Sequence, residues 1–540
     1  MKKTIILALN SKFIHSSLAL WYLKASCSGI DGVIALERTI NEPFLDVLHA
    51  VLDTRPDILC CSCYIWNIEY VLKLCHELKL ILPELKIVLG GPEVSFRADE
   101  ILHDHSAVDV VLVGEGEVSL PLVIADIDEA ASVAGACTRH SSSSYQYISD
   151  MNTIISPYTP EMLASLHGKL AYYESSRGCP FSCAYCLSSA THGVRNLPLS
   201  RVKEELVLLS HADVRTIKFV DRTFNADISR AKEIIRFILS NTGDVCFHFE
   251  VGADLFDDET LALLKSAPPG KFQIEAGIQS TNEETLMAVA RKTDTALALK
   301  TLSELRSYGN IHVHSDLICG LPYEDIDTFS RSFDMLYAVA PHALQLGFLK
   351  MLHGSPLRAR ANEYNYVFSS CPPYEFYKND FMSPYDITVM HDIEDALEKY
   401  YNSGRFPTVL SYINTVYDSP FDFYLKLSQH LTKHAGRRAR ISPDRLAELL
   451  LSFCTECGIL DVERTIAALA FDYSCCGTSR QLPHALSDGD VTVKQPDKRF
   501  IIKRYEYDMQ KPQLPAGTHT YIISRTERDA ITNLFTVKMA

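Results

Sequence analysis

Three cysteines stand close together in one short segment of the chain. Cys179, Cys183 and Cys186 form a C-x3-C-x2-C triplet within residues 174–186, directly after an apolar stretch. Thiolates bind iron–sulfur clusters, and three of them can hold three irons of a cubane cluster while the fourth iron keeps no protein ligand. Catalysis needs such an open metal position, because a substrate or cofactor can then coordinate the metal directly. The spacing therefore predicts a [4Fe-4S] cluster on these three cysteines.

Two simpler interpretations of the triplet stay open at this point. One is a structural zinc loop, and the other is a set of buried thiols with no metal. Structural zinc sites take a fourth protein ligand and paired C-x2-C spacing, and no fourth ligand lies close to the triplet in the sequence. The cluster is the interpretation that the spacing favours.

The triplet, with Tyr185 just before its last cysteine, resembles the signature of radical S-adenosylmethionine (SAM) enzymes. The resemblance extends over residues 168–360. It implies that the cluster donates one electron to SAM on the open iron, which gives methionine and a 5′-deoxyadenosyl radical. That radical then removes hydrogen from an unactivated carbon. Cofactors carry this chemistry, and the protein supplies orientation and exclusion of water.

The same resemblance implies a set of SAM contacts at strand ends. These are Asp221, Glu275, Gln279, Arg291 or its neighbour Lys292, and Asp316. Asp221 would meet the methionine amino group, while Glu275 and Gln279 would face the ribose and the carboxylate. Each residue has a structural alternative: Asp221 can cap a turn, and Glu275 can be a hydrogen-bonded carboxylate of the interior.

Strands and helices alternate through residues 168–360, the second region of the chain, and must position these residues. The predicted strands are residues 170–174, 216–220, 245–251, 272–278, 312–318 and 343–349. Six parallel strands with intervening helices predict a partial (β/α)6 barrel, whose chemistry lies at the carboxyl ends of the strands.

The first region, residues 1–140, alternates in the same way. Continuous apolar strands at residues 4–9, 57–62, 86–89 and 108–113 are separated by helical stretches. Such strands predict a doubly wound, Rossmann-like parallel sheet. Ligands bind such sheets at the carboxyl ends of the strands, where two glycine turns stand, at residues 90–93 and 114–117. Glycine in these turns is predicted to let the backbone approach a large ligand closely.

These turns resemble the cobalamin-binding domain that precedes many radical SAM enzymes. The resemblance assigns corrinoid contacts to Lys12, His15, Ser62, Gly90, Gly91, Pro92, Glu93, Gly114, Glu115 and Gly116. Ser62 would lie near the nucleotide tail. The Asp-x-His-x-x-Gly motif of cobalt-ligating domains is missing around His15, so Lys12 and His15 are assigned to corrinoid phosphate or amide groups. A Rossmann-like domain for another ligand is the alternative.

The third region, residues 361–540, is predicted to be mostly helical. The order of the three regions resembles that of cobalamin-binding radical SAM proteins that carry an uncharacterised C-terminal extension. Helices are predicted to start at Ser383-Pro384 and Ser442-Pro443, since Ser caps a helix and Pro fits its first turn. Strands are predicted at residues 499–505 and 520–523. Four cysteines of this region form a second candidate metal site, with helix packing as the favoured alternative: Cys454, Cys457, Cys475 and Cys476.

The composition of the whole chain limits the compartment and the kinds of partner that we expect. The net charge of the 540 residues is −15, which argues against non-specific binding to nucleic acid. No apolar run reaches the length of a membrane span, and the apolar start breaks at residues 10–12, too early for an export signal. Sixteen scattered cysteines suit a reducing compartment. We expect a cytoplasmic protein without a membrane or nucleic-acid partner.

The resemblance implies three cofactors: a [4Fe-4S] cluster, SAM and cobalamin. The leading hypothesis is an α/β enzyme that transfers a methyl group to an unactivated carbon of a small molecule or peptide, with flavodoxin or ferredoxin as reductant. A second hypothesis keeps both cofactors but has rearrangement or bond formation without methyl transfer. A third is a corrinoid- or zinc-binding protein that is not an enzyme.

Overall fold

The computed structural model describes residues 2–190, 193–458, 461–477, 482–489, 491–493 and 499–540. The chain forms two compact units. One consists of Met1–Leu263, Val289–Lys292 and Lys350–Phe376, and the other of Leu264–Ala288, Thr293–Leu349 and Tyr377–Ala540. In the described part of the chain, no helix is both long enough and apolar enough to cross a membrane.

The first unit begins with a six-stranded sheet in the order β2-β1-β3-β4-β5-β6. Its strands are β1 (Thr4–Asn10), β2 (Val33–Thr39), β3 (Ile58–Ser62), β4 (Lys86–Gly90), β5 (Val110–Leu112) and β6 (Ala136–Cys137). Its helices are α1 (Leu18–Ser26), α2 (Phe44–Thr54), α3 (Ile68–Ile81), α4 (Pro92–Ser95), α5 (Ala98–Asp104) and α6 (Gly116–Ala125). All pairings are parallel except that of β6 with β5. The predicted doubly wound sheet is confirmed.

Both faces of this sheet are buried. In β1, Ile5 and Leu7 belong to one apolar cluster and Ile6 to another, because successive side chains of a strand point to opposite faces. The apolar pattern does not predict β2, which carries Glu37 and Arg38 and is only partly buried. Because β2 is an edge strand, it needs no continuous apolar run.

The first unit also holds three parallel strands, with β10 paired to β7 on one side and to β11 on the other. The strands of this part are β7 (Ala171–Tyr173), β8 (Ser176–Cys179), β9 (Gly193–Asn196), β10 (Thr216–Phe219) and β11 (Cys246–Glu250). The helices are α7 (Pro160–Ser165), α8 (Leu199–Ser210), α9 (Ile228–Asn241) and α10 (Asp258–Lys265). Strands β8 and β9 form an antiparallel hairpin that the sequence pattern does not predict.

The second unit contains the other three predicted strands, with β13 paired in parallel to β12 and β14. The elements are β12 (Phe272–Gln279), α11 (Glu283–Ala288), α12 (Thr295–Ser307), β13 (Ile311–Cys319), α13 (Ile326–Tyr337) and β14 (Ala343–Phe348). Burial alternates along β12 and β13, so each strand presents one apolar and one polar face. The predicted α/β alternation is confirmed.

The C-terminal region is helical at first and ends in an antiparallel sheet. Short elements precede it: α14 (Pro356–Ala359), β15 (Val367–Phe368) and β16 (Phe376–Lys378). The helices are α15 (Pro384–Leu397), α16 (Pro407–Ile413), α17 (Pro420–Ala435), α18 (Pro443–Cys457) and α19 (Val462–Cys476). The sheet runs in the order β17 (Val491–Val493), β18 (Phe500–Tyr507), β19 (Ala516–Arg528) and β20 (Phe535–Met539). Ser383 and Ser442 cap their helices as predicted.

A buried carboxylate in α19 gives the C-terminal region a testable pH dependence. Asp472 is 1% exposed and accepts hydrogen bonds of 3.0 Å from the backbone N–H groups of Thr408 and Val409. Burial raises the pKa of Asp472 to about 7. A raised folded-state pKa stabilises the fold below the unfolded pKa, and this contribution is lost as the pH rises towards 7.

We therefore expect the free energy of unfolding of the unmodified chain to fall between pH 5 and pH 7 relative to that of Asp472→Asn. The difference is up to about 1.4 kcal/mol per pH unit, because only the aspartate ionises. Urea unfolding of both proteins at the two pH values measures it. If the free energies of unfolding of the two proteins changed with pH in parallel, Asp472 would have the same pKa in the folded and the unfolded chain.

Candidate cofactor site

The cysteine triplet lies between the two strands of the β8–β9 hairpin. Cys179 is the last residue of β8, and the backbone N–H of Cys186 donates to the Cys183 carbonyl over 3.0 Å. Cys183 is buried, and the other two are partly exposed. No disulfide joins any of the sixteen cysteines, all of which lie in described segments. None of the three thiols is therefore consumed by a disulfide.

The three thiols are not all as close together as the ligands of a single zinc ion would be. Tetrahedral zinc, with Zn–S bonds of about 2.3 Å, brings its sulfur ligands to about 3.8 Å from one another. Of the residues that the structure describes, the groups of three ligand atoms within 4.8 Å of one another do not include the triplet. In a cubane cluster each thiolate binds its own iron, so the sulfur atoms are held farther apart.

Two other segments of the same unit fix the loop between the cysteines. The backbone N–H of Ala184 donates to the Val289 carbonyl, and its carbonyl accepts from Leu357, each over 2.8 Å. Arg291 lies next to this attachment, with Nη1 3.2 Å from the Tyr185 hydroxyl and 3.9 Å from Cys183 Sγ. The guanidinium can therefore offset negative charge at the triplet. Its assignment to the methionine carboxylate stays a prediction.

Asp221 holds the segment that leads into the cysteine loop. The carboxylate is 1% exposed and accepts from the Ser175 N–H at 2.9 Å, the Ser175 hydroxyl at 2.7 Å and the Ser176 hydroxyl at 2.5 Å. Burial raises the pKa of Asp221, against these hydrogen bonds. Both oxygens are thus engaged by the entry to β8, and the contact with the methionine amino group stays a prediction.

In the second unit, Glu275 and Asp316 come together on the polar faces of β12 and β13. His314 lies between them, with Nε2 2.8 Å from Asp316 Oδ1 and Nδ1 4.0 Å from Glu275 Oε2. Glu275 is directly opposite His314 in the strand register. In the sequence, His312 and His314 lie two residues apart, which places both on one face of a strand but equally fits histidines satisfied by the interior.

Gln279 ends β12 in an unusual conformation. Its φ is +71°, a strained value for a residue other than glycine. The carboxamide folds over Gly277, where an added Cβ would lie 1.8 Å from Nε2. Its Oε1 is buried and accepts no hydrogen bond from the described residues. Strain and an unsatisfied polar atom mark functional positions, and both support the predicted cofactor contact.

The loop after β1 meets strand β7. The His15 ring, through Nδ1, is 2.7 Å from the Tyr172 hydroxyl, and Leu170 donates its N–H to the Ile14 carbonyl over 2.8 Å. Burial, followed by the nearby positive charge of Lys12, lowers the pKa of His15. Lys12 is exposed. One nitrogen of the His15 ring therefore already has a partner, which fixes the orientation of the ring.

Ser62, at the carboxyl end of β3, has a buried hydroxyl. The residue is 8% exposed, and its Oγ has no hydrogen-bond partner in the described segments. It pairs with Gly90 in the strand register. A buried hydroxyl without a partner costs free energy, and a polar ligand group at this strand end would supply the missing bond. The structure therefore fits the predicted corrinoid contact at Ser62.

Two glycines are required by the chain itself. Gly91 has φ +105°, and an added Cβ would lie 2.6 Å from the Cys63 carbonyl oxygen. Gly114 has φ +98°, and its Cβ would lie 2.0 Å from the Gln146 carbonyl oxygen. At both positions it is neighbouring backbone that leaves no room for a side chain. The sequence pattern predicts instead that a cofactor approaches these glycines closely.

The other residues of the two turns differ in their surroundings. A Cβ on Gly90 would make ordinary contacts, the nearest at 3.7 Å, and one on Gly116 would meet Leu23 at 3.1 Å. Pro92 begins α4. Of the four glycines, only Gly90 and Gly116 still fit the predicted reason for a glycine, which is room for a large ligand.

Glu93 points into the protein. It is 5% exposed, lies 2.8 Å from Arg97 Nη2 and accepts a hydrogen bond from the Tyr374 hydroxyl. Burial raises the pKa of Glu93, and Tyr374 and Arg97 oppose that rise. The carboxylate thus ties α4 to a segment 281 residues away.

Glu115 fastens the second glycine turn to the hairpin of the cysteine loop. It lies 2.5 Å from Arg195 Nη2 and 3.4 Å from Arg177 Nη1. Arg177 and Arg195 are directly opposite in β8 and β9, and Arg177 also contacts Glu117 and Glu174. Burial alone would raise the pKa of Glu115, but hydrogen bonds from Arg195 lower it. The spacing of residues in the sequence does not predict this network.

Family models match the three regions in the predicted order. The model of the B12 binding domain matches residues 4–124, and that of the Radical SAM superfamily matches residues 173–336. A model described as a protein of unknown function (DUF4080) matches residues 362–539.

Two relatives are named as methyltransferases. The chain is 26% identical over 343 residues to the cobalamin-dependent radical SAM methyltransferase TokK of Streptomyces tokunonensis, covering 59% of this chain and 50% of TokK. It is 28% identical over 327 residues to the 2-(S-pantetheinyl)-carbapenam-3-carboxylate methyltransferase of Streptantibioticus cattleyicolor, covering 54% of this chain and 46% of the relative. The chain thus spans about half the length of these curated relatives.

A solved structure has a similar fold. The cobalamin-dependent S-adenosylmethionine radical enzyme OxsB, with aqua-cobalamin and S-adenosylmethionine bound, superposes with a TM-score of 0.61. The identity is 14%, and the match covers 88% of this chain and 79% of OxsB. At this identity the likeness shows the fold alone.

Proposed function

Because this chain is a radical SAM protein with a B12 binding domain ahead of its radical SAM domain, we propose that it transfers a methyl group to an unactivated carbon. The observation that carries the proposal is the Glu115–Arg195 and Glu117–Arg177 network, within one unit. It fastens a glycine turn of the B12 binding domain to the hairpin that presents Cys179. The names of two relatives support methyl transfer.

The proposed roles divide by cofactor. Cys179, Cys183 and Cys186 would bind the [4Fe-4S] cluster. When bound, the cluster supplies an electron for cleavage of SAM, and cobalamin supplies a carrier for the methyl group. Asp221 positions the entry to the cysteine loop through Ser175.

Residues of the second unit are the proposed SAM contacts. Glu275 and Asp316 present carboxylates on one polar face, with His314 between them, and carboxylates can accept hydrogen bonds from ribose hydroxyls. Gln279 offers a buried carbonyl oxygen that can accept another. The strained backbone at Gln279 fixes this oxygen before a ligand arrives.

The proposed corrinoid contacts are the side chains of Lys12, His15 and Ser62. Lys12 is exposed and can meet a phosphate, while the Ser62 hydroxyl needs a partner. His15 is proposed to make a polar contact rather than to ligate cobalt, because the Asp-x-His-x-x-Gly motif is missing around it. Among the turn residues, backbone groups are the donors and acceptors, since Glu93 and Glu115 are engaged elsewhere.

A second candidate keeps the cofactors and omits methyl transfer. It is favoured by a relative named as a cyclase, the anaerobic magnesium-protoporphyrin IX monomethyl ester cyclase of Rubrivivax gelatinosus, to which this chain is 22% identical over 343 residues, covering 58% of this chain and 60% of the relative. In either case the proposed substrate is a small molecule or peptide, and the proposed reductant is flavodoxin or ferredoxin. A zinc-binding protein without catalysis is the third candidate.

The experiment starts with anaerobic reconstitution and measurement of iron and sulfide. We expect about four of each per chain, as a [4Fe-4S] cluster requires; zinc without sulfide would overturn the enzyme proposal. SAM with a deuterated methyl group is then supplied with cobalamin and candidate substrates. Mass spectrometry should find the label in the product. A product without the label would exclude methyl transfer and favour the second candidate.

Ser62→Ala is predicted to change cofactor binding and stability in different directions. Removal of a buried, unsatisfied hydroxyl should leave the apoprotein at least as stable as the unmodified chain. Corrinoid binding should weaken by about 1 kcal/mol, which is about fivefold in Kd. Thermal unfolding and spectrophotometric titration with cobalamin measure the two effects.

Ser95→Ala is the matched control. The Ser95 hydroxyl donates to the Gly91 carbonyl over 2.8 Å and accepts from the Gly114 N–H at 3.1 Å. Its loss should therefore destabilise the apoprotein, because the Gly114 N–H loses its hydrogen-bond acceptor, whereas the Gly91 carbonyl still accepts from the Ser95 N–H over 3.1 Å. Equal destabilisation by both substitutions would contradict the unsatisfied state of Ser62.

A further inference from the structure

Two helices of the C-terminal region bring two imidazoles and a carboxylate together. His430 and His434 lie one turn apart on α17, and Glu456 lies in the last turn of α18. One ligand atom from each residue lies within 4.8 Å of the other two. All three belong to the second unit, and the family model that covers them describes a protein of unknown function.

The distances suit three ligands around one ion. His430 Nδ1 is 3.6 Å from Glu456 Oε2, and His434 Nε2 is 3.6 Å from Glu456 Oε1. These separations are too long for hydrogen bonds. Bonds of about 2.0–2.2 Å from zinc to nitrogen or oxygen in a tetrahedral site place the ligand atoms about 3.4 Å apart. The two separations between a histidine and the carboxylate are therefore close to those of ligands that share an ion.

The surroundings fix two of the three side chains. The His430 ring is buried and packs edge-on against Phe453, with centroids 5.6 Å apart. Glu456 Oε1 accepts a hydrogen bond of 3.2 Å from Ser452, the kind of outer contact that orients metal ligands. His434 and Glu456 are exposed, so an ion can enter from solvent and keep a water ligand.

We propose that His430, His434 and Glu456 bind one divalent transition-metal ion of the zinc type. Two imidazole nitrogens and one carboxylate suit zinc, cobalt or nickel, whereas magnesium and calcium prefer all-oxygen sites. Three protein ligands leave one position open. The ion would join α17 to α18. This proposal does not depend on the proposed methyl transfer.

Cobalt is the probe because its visible absorption reports coordination. The full chain, with its cluster already reconstituted so that the cysteine triplet is filled, is freed of loose metal and titrated with Co²⁺. We expect one equivalent to bind with the absorption of a site of low coordination number, and Zn²⁺ to displace it. His434→Ala and Glu456→Gln should each weaken binding by about 100-fold or more, because loss of an outer contact alone costs 10–100-fold.

Matched controls lie on the same helix and in the same unit. Glu448→Gln removes an exposed carboxylate of α18 that pairs with Arg445 at 3.0 Å, and His484→Ala removes an exposed imidazole. Both should bind Co²⁺ as the unmodified chain does. Because His434 and Glu456 are exposed, their variants should keep the circular dichroism of the unmodified chain. Unchanged Co²⁺ affinity in both variants, no cobalt site in the unmodified chain, or displacement of Co²⁺ by Mg²⁺ would each overturn the proposal.

Discussion

Cys183→Ala is expected to abolish reductive cleavage of SAM and to leave corrinoid binding intact. The thiol is buried and lies in the loop held by the Ala184 backbone, so its loss removes one of the three ligands of the proposed cluster. An incomplete ligand set cannot hold the cluster with one open iron. The B12 binding domain contains a sheet of its own, and the substitution changes none of its side chains.

Three measurements on the same preparation test this result. They are iron and sulfide per chain, 5′-deoxyadenosine formed from SAM under reducing conditions, and cobalamin bound. Cys371→Ala is the control, because Cys371 is exposed and lies outside the triplet. We expect it to behave as the unmodified chain. Full SAM cleavage by Cys183→Ala would overturn the cluster assignment.

Gly114→Ala is expected to destabilise the apoprotein by about 3 kcal/mol or more. The methyl group would lie 2.0 Å from the Gln146 carbonyl oxygen at a φ of +98°. A strained backbone conformation costs about 1–3 kcal/mol, and overpacking against backbone costs about 1–3 kcal/mol further. The turn also donates its N–H to Ser95, so a shift of the backbone would break this bond.

Gly29→Ala is the matched control in the same unit. A Cβ at Gly29 would meet no atom within 4 Å, so we expect a change of at most about 0.5 kcal/mol. Urea unfolding of the apoproteins measures both. If Gly114 is needed only for close approach of a cofactor, Gly114→Ala will be as stable as the control and will lose corrinoid binding alone. That outcome would restore the interpretation drawn from the glycine pattern.

The elements most accurately predicted from sequence are those with strong local signals. Ser442, Pro443 and Gly458 mark the ends of α18, and the structure places all three at those ends. The apolar run of β1 predicts a strand buried on both faces, and all seven of its residues are buried. Such signals act over one or two turns of chain, so spacing alone reveals them.

Elements without such signals were missed. Strand β2 is an edge strand with charged residues, and the β8–β9 hairpin has few apolar positions. The four cysteines of the C-terminal region were predicted either to bind a metal or, as the favoured alternative, to pack within helices. In the described residues they form no group of three ligand atoms within 4.8 Å, and Cys454 and Cys475 are buried, as helix packing requires. The burial of these two thiols fits helix packing.

The sequence by itself determined the chemistry that is carried by close spacing: the cysteine triplet, the two glycine turns, and the order of strands and helices. Only the tertiary structure decided which distant side chains meet. Glu115 reaches Arg195 across 80 residues, and His430 meets Glu456 from another helix. The reason is physical. Local periodicity states which face of an element is buried, but the packing of that face against another element chooses its partners, and no short segment encodes this choice.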